Sequence, residues 1–165
     1  MFKNITPRKI YYAFICSVKG GLSIILLLSF LELEMVHLVA LGSSSFKAYS
    51  SPHSHASRTK TLVYSYLVGT IVGMICSYID HLLYPFFPGI RFFMGGVAVA
   101  FTIGILILLN FEHPPAAGVA IGFVLNPWGW RTPIFLMTAI IGLTVIRRLL
   151  MWWHPKELKK EFAKK

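Results

Sequence analysis

Residues 62–79 and 92–109 of this chain run without a single charged side chain. A bilayer core about 30 Å thick takes roughly 17–25 apolar residues to cross as a helix. Only helices and closed barrels satisfy their backbone groups at that depth. Residues 11–31 have the same character with one charge, Lys19. Residues 133–153 carry Arg147 and Arg148 close to their end, where arginines reach the interface. Charged residues make up 13% of the chain, against about 25% in a soluble domain. The expected fold is an all-α integral membrane protein with four transmembrane helices plus two re-entrant or half-helix segments. Residues 1–155 form a single transmembrane domain and 156–165 a basic tail. The N-terminal apolar run leads into Glu32, Leu33 and Glu34 rather than a small-residue cleavage site, so it reads as a retained span.

The net charge of +10 follows from where the cations lie, and no nucleic-acid partner is expected. With four spans, eleven lysines and arginines fall on the side of the termini, Arg91 among them. Four fall opposite: Lys47, Arg58, Lys60 and Arg131. The positive-inside rule then puts both termini in the cytoplasm, in an inner or plasma membrane. Cys16 and Cys76 sit in apolar spans and read as reduced core residues.

Two segments are too short or too polar to be spans. Residues 41–60 contain Gly42-Ser43-Ser44-Ser45. Residues 112–130 open with Glu112-His113-Pro114-Pro115, and their apolar part, 116–125, is about 15 Å long as a helix. The two segments share a pattern: Ser51-Pro52 matches Asn126-Pro127, and Arg58-Thr59 matches Arg131-Thr132. This predicts two repeats, about 11–79 and 91–153. With two spans each they would be parallel, and both short segments would enter from the non-cytoplasmic side. Gly69/Gly73, Gly96/Ala100 and Gly118/Gly122 have the four-residue spacing that lets helix backbones approach in lipid.

A helix broken at membrane depth beside a histidine is a functional site by default. Pro114 and Pro115 suit the first turn of a new helix. Half-helix N-termini near Gly42–Ser45 and near Pro114–Gly118 would offer N–H groups and partial positive charge to an anion. The candidate substrate-binding residues are Lys19, Gly42, Ser43, Ser44, Ser45, His113, Pro114, Pro115, Ala116 and Gly118. His113, with an ordinary pKa of about 6.5, is expected to add charge as pH falls. Glu34-x-x-His37, with Glu32 and His53-x-His55 nearby, has half the ligands of a di-iron bundle site. No metal, cofactor or catalytic residue is expected. Hydrolase and phosphate-loop motifs are missing from the sequence.

His113-Pro114-Pro115-Ala116 resembles the signature of the HPP family of integral membrane proteins. Leu41-Gly42-Ser43-Ser44 resembles that family's Gly-Ala-Ser element, with Ser43 at the alanine. Ser51-Pro52 and Arg58 resemble its later Ser-Pro and Pro-Arg-Asn. Where the family has Gly-Gly-His at the start of the second span, this chain reads Leu62-Val63-Tyr64. Plant and cyanobacterial members are linked to nitrite transport. The resemblance therefore implies a channel or transporter for a small inorganic anion, nitrite first. Four spans are few to seal a pore, so a homo-oligomer among membrane lipids is expected. An intramembrane metal-dependent enzyme and a structural membrane partner are the alternatives.

Overall fold

Long apolar segments become helices because each backbone N–H finds its acceptor four residues back, with no demand on the surroundings. The computed structural model describes residues 7–30 and 35–152 of the chain. Among the described residues are six α-helices: α1 (Pro7–Phe30), α2 (Met35–Ser50), α3 (Thr59–Leu83), α4 (Ile90–Leu108), α5 (Pro115–Leu125) and α6 (Arg131–Trp152). A short 3₁₀ turn, His55–Ser57, lies between α2 and α3. Four helices, α1, α3, α4 and α6, are long and apolar enough to cross a membrane. The all-α membrane architecture is as expected.

Helix directions follow from the side-chain contacts. Ser45 meets Gly20 and the Tyr49 carbonyl accepts from Cys16, so α2 runs antiparallel to α1. Gly69 packs on Ala116 and Gly73 on Ala120, so α5 runs parallel to α3. Leu27 touches Gly142 and Lys19 touches Leu150, so α6 runs antiparallel to α1. The six helices therefore alternate in direction along the chain. The start of α1, the link 51–58 and the end of α6 share one face, here the basic face. The links 84–89 and 126–130 lie on the opposite face.

This corrects the expected repeat. Gly42–Ser45 do not open a half-helix; they lie in the middle of α2. At 1.5 Å per residue α2 is about 24 Å long and carries the chain back to the basic face. Each half thus has three helices, long-short-long, and an odd number reverses the second half. The halves are antiparallel rather than parallel, and link 51–58 shares the face of the described ends. Of the described cations, Arg8, Lys9, Lys47, Arg58, Lys60, Arg147 and Arg148 belong to the basic face, while Arg91 and Arg131 lie opposite. The bias is steeper than four spans alone imply. With the basic face toward the cytoplasm, as the positive-inside rule favours, an impermeant thiol reagent should leave a cysteine at Pro52 unlabelled in intact cells and label one at Gly89. Labelling of both positions from outside would contradict the placement of the two links on opposite faces.

The core has two parts that meet at α5. Leu62, Tyr66, Val119, Phe123, Leu136 and Ile140 form one, and Val72, Met94, Ala98, Ala120 and Val124 the other. Apolar all round, α5 buries Ala116, Val119, Ala120, Gly122, Phe123 and Val124, while Ala117, Gly118 and Ile121 are part-buried. The close α3–α5 contact uses Gly69 and Gly73. A methyl group on Gly73 would come within 2.7 Å of the Ala120 carbonyl oxygen. Gly96 and Gly118, also expected at close contacts, face no neighbouring atoms.

Candidate functional site

The break before α5 is built by a Schellman cap and two prolines. Asn110, at φ 55°, is the one non-glycine residue with positive φ among the described residues. The Phe111 N–H bonds to the Leu106 carbonyl at 2.9 Å, and that of Asn110 to Ile107 at 3.1 Å. This closes α4 and spends its last acceptors. Pro114 and Pro115 then start α5 without N–H groups of their own. Ala116 donates to the His113 carbonyl at 3.0 Å and Ala117 to that of Pro114 at 3.1 Å. The first turn of α5 begins beside Gly69, about 15 Å along α3 from Thr59.

His113 is held just before that turn, 1% exposed. Its Nε2 lies 2.8 Å from the Ser44 Oγ, and the same oxygen lies 2.7 Å from the Tyr66 Oη. Ser44 and Tyr66 have no exposed surface. Three helices and a link thus converge on one buried polar cluster. Nδ1 has no well-formed hydrogen bond, and the Ala56 backbone in link 51–58 is the polar group that favours its protonated form. Link 51–58 is held in turn by Arg147 of α6, whose guanidinium donates to the Pro52 carbonyl at 2.7 Å and to that of Ser57. A cavity of about 340 Å³, lined by Ile103, Glu112, Pro114 and Ala117, reaches His113 from the α4 side.

The His113-Pro114-Pro115 turn, with His113 buried, lies within the segment covered by a family assignment. The family described as HPP, transmembrane region, matches residues 2–154. The chain belongs to the HPP family. It is accordingly an integral membrane protein. No curated protein and no solved structure gives a significant match.

Within the HPP fold the expected binding residues separate into two groups. Ser44, His113, Pro114, Pro115 and Ala116 come together at the start of α5. Gly118 lies one turn further along it. Gly42, Ser43 and Ser45 point elsewhere, because successive residues on a helix are turned by about 100°. Ser43 is exposed and its hydroxyl donates to the Ala40 carbonyl at 2.9 Å. Ser45 donates to Gly20 of α1. Lys19 donates to the Leu150 carbonyl at 2.8 Å, in the last turn of α6. A cation there complements the negative helix end and ties α1 to α6.

The anticipated N–H donors also differ. Gly42–Ser45 are inside a helix, where backbone N–H groups serve the helix itself. At α5 two donors are removed by proline and the next two are used internally. What remains is the helix dipole, about half a unit of positive charge, and the side-chain donors of Ser44, Tyr66 and His113. Tyr66 escaped the sequence reading, although a tyrosine seven residues into an apolar helix carries a hydroxyl that needs a partner. Glu112 is exposed. His37 is buried edge-on to Phe123 at 4.8 Å. Glu32 and Glu34 lie outside the described residues, and among those described no group of three His, Cys, Asp or Glu is placed to hold a metal.

His113 lies outside the four spans, yet burial pushes its pKa down from the usual histidine range to about 4. The Ala56 backbone opposes that shift, and Lys47 adds to it. The expected titration near 6.5 is thereby displaced. The unfolded chain binds a proton between about pH 6.5 and 4 that the folded protein refuses, so stability falls as pH falls through that window. At pH 5 the loss is about 2 kcal/mol relative to pH 8, or about 4–8 °C in melting temperature. His113→Gln should remove most of that difference in a thermal melt at the two pH values. Parallel curves for the two proteins would show that His113 is not buried in its neutral form.

Proposed function

We propose that this HPP-family chain is a carrier for a small inorganic anion, with nitrite the leading candidate. The observation that carries the reading is the Ser44–His113–Tyr66 cluster at the start of a helix that begins within the bundle. Its donors are uncharged. Hydroxyl and imidazole N–H groups replace part of the hydration of a monovalent anion without holding it so tightly that it cannot leave. The positive end of α5 adds a field of the right sign. Lys19 and the basic face contribute charge at longer range. Antiparallel halves with a discontinuous helix at their meeting point are the arrangement in which secondary transporters bind substrate between repeats. The cluster is sealed on the basic side by link 51–58, which favours alternating access over an open pore. With seven described cations, the basic face is assigned to the cytoplasm. Uptake of nitrite, nitrate, chloride and formate into proteoliposomes tests the reading. Saturable uptake of nitrite, competed by the other monovalent anions, supports it. Fluxes equal to those of empty liposomes sink it.

A further inference from the structure

On the face opposite the basic one, a groove of about 910 Å³ opens between α3 and the link after α5. Its inner wall is apolar, with Met74 and Val124. Ile75, 55% exposed, and Tyr78, 64% exposed, carry that wall out to the lipid-facing surface of α3. Trp128 and Trp130 close one side, and the Trp128 indole N–H is already committed to the Ser77 Oγ at 2.9 Å. Aromatic side chains of this kind sit at the headgroup level of a bilayer.

The polar end of the groove is unbalanced. Asp80 lines it and is 3% exposed. Its Oδ2 accepts from the Arg91 Nε at 3.3 Å, while Oδ1 has no hydrogen-bond partner. A buried carboxylate oxygen without a donor is costly, and charged groups make this worse. Arg91 is 46% exposed and stacks over the Tyr84 ring at 5.1 Å, so much of its guanidinium is free to meet an anion. An acceptor and a cationic donor therefore stand side by side at the head of an apolar groove.

We propose that this groove binds a zwitterionic phospholipid whose ammonium headgroup carries an N–H, as in phosphatidylethanolamine. The ammonium donates to Asp80 Oδ1, the phosphate accepts from Arg91, and an acyl chain follows Met74 and Ile75. An N–H on the ammonium is required because Oδ1 lacks a proton donor. A quaternary ammonium carries the same charge and has no N–H to give. An anionic headgroup without nitrogen would meet Asp80 unfavourably.

The test uses the delipidated full chain and native mass spectrometry with phosphatidylethanolamine, its mono-, di- and trimethylated forms, and phosphatidylglycerol. Binding should persist through the dimethyl lipid and drop about tenfold at the trimethyl form, where the last N–H is lost. Asp80→Asn should remove that step, and Arg91→Gln should weaken all the phospholipids together. Glycerophosphoethanolamine, the same headgroup without chains, should not compete at equal concentration. Equal binding across the methylation series, or equal binding of phosphatidylglycerol, would overturn the proposal. Competition by the chain-free headgroup would also overturn it, in favour of a soluble ligand. The methylation series on the unaltered protein decides the matter even where a variant fails to fold.

Discussion

Gly69→Val should leave little folded protein in the membrane, and Gly69→Ala should lower the melting temperature by about 5–10 °C. A Cβ at Gly69 meets the carbonyl of Ala116, which is backbone in a buried helix and has nowhere to move. Overpacking of this kind costs typically 1–3 kcal/mol for a methyl group and more for a larger side chain. Gly73 has the same relation to Ala120, so Gly73→Ala should act in the same direction. Gly96→Ala and Gly118→Ala are controls of equal chemistry, since neither glycine faces a neighbouring atom within 4 Å. Scanning fluorimetry in detergent reads all four. Equal melting temperatures for Gly69→Ala and Gly96→Ala would mean that α3 and α5 are not in backbone contact.

Arg147→Gln should open the basic side of the site. The guanidinium holds link 51–58 at two carbonyls, and that link places Ala56 over His113. Hydrogen bonds from a charged donor contribute about 1.5–3 kcal/mol each. Losing both should raise the exposure of the cluster by tenfold or more. The readout is the labelling rate of a cysteine at Ser44, with Cys16 and Cys76 replaced by serine. Arg147→Lys, with one compact ammonium in place of a fork, should lie between the two. A rate unchanged by Arg147→Gln would show that the link is held by other contacts.

Much of this architecture was legible in the chain. The four long helices follow from uninterrupted apolar length, and the break at His113 from two prolines where a helix cannot continue. The start of α5 at Pro115 is one residue from the expected Ala116. The misreading at Gly42–Ser45 has a physical origin. Glycine and serine are poor helix formers, and a polar run among apolar spans suggests a loop. In the fold that run is packed between α1 and α5, and its serines find hydrogen-bond partners on three different sides. Tertiary contacts overrode local preference there, and one additional helix reversed the sense of the second half. Tyr66 and the Ala56 strap became visible only once distant segments were brought together, because neither forms a motif in sequence. Lys19 stood out as a charge inside a span, but its acceptor at Leu150, 131 residues away, is not readable from spacing.

The role proposed for the Ser44–His113–Tyr66 cluster is to meet the transported anion. Its most direct measurement is initial-rate nitrite uptake into proteoliposomes by the unaltered protein, Ser44→Ala and Ser43→Ala, each reconstituted at equal density and checked for folding by thermal melt. Saturable uptake is expected of the unaltered protein and of Ser43→Ala, whose hydroxyl lies on the outer surface of α2. A loss of at least about tenfold is expected for Ser44→Ala, because the link between His113 and Tyr66 is gone. Uptake by Ser44→Ala at the rate of the unaltered protein would contradict that role.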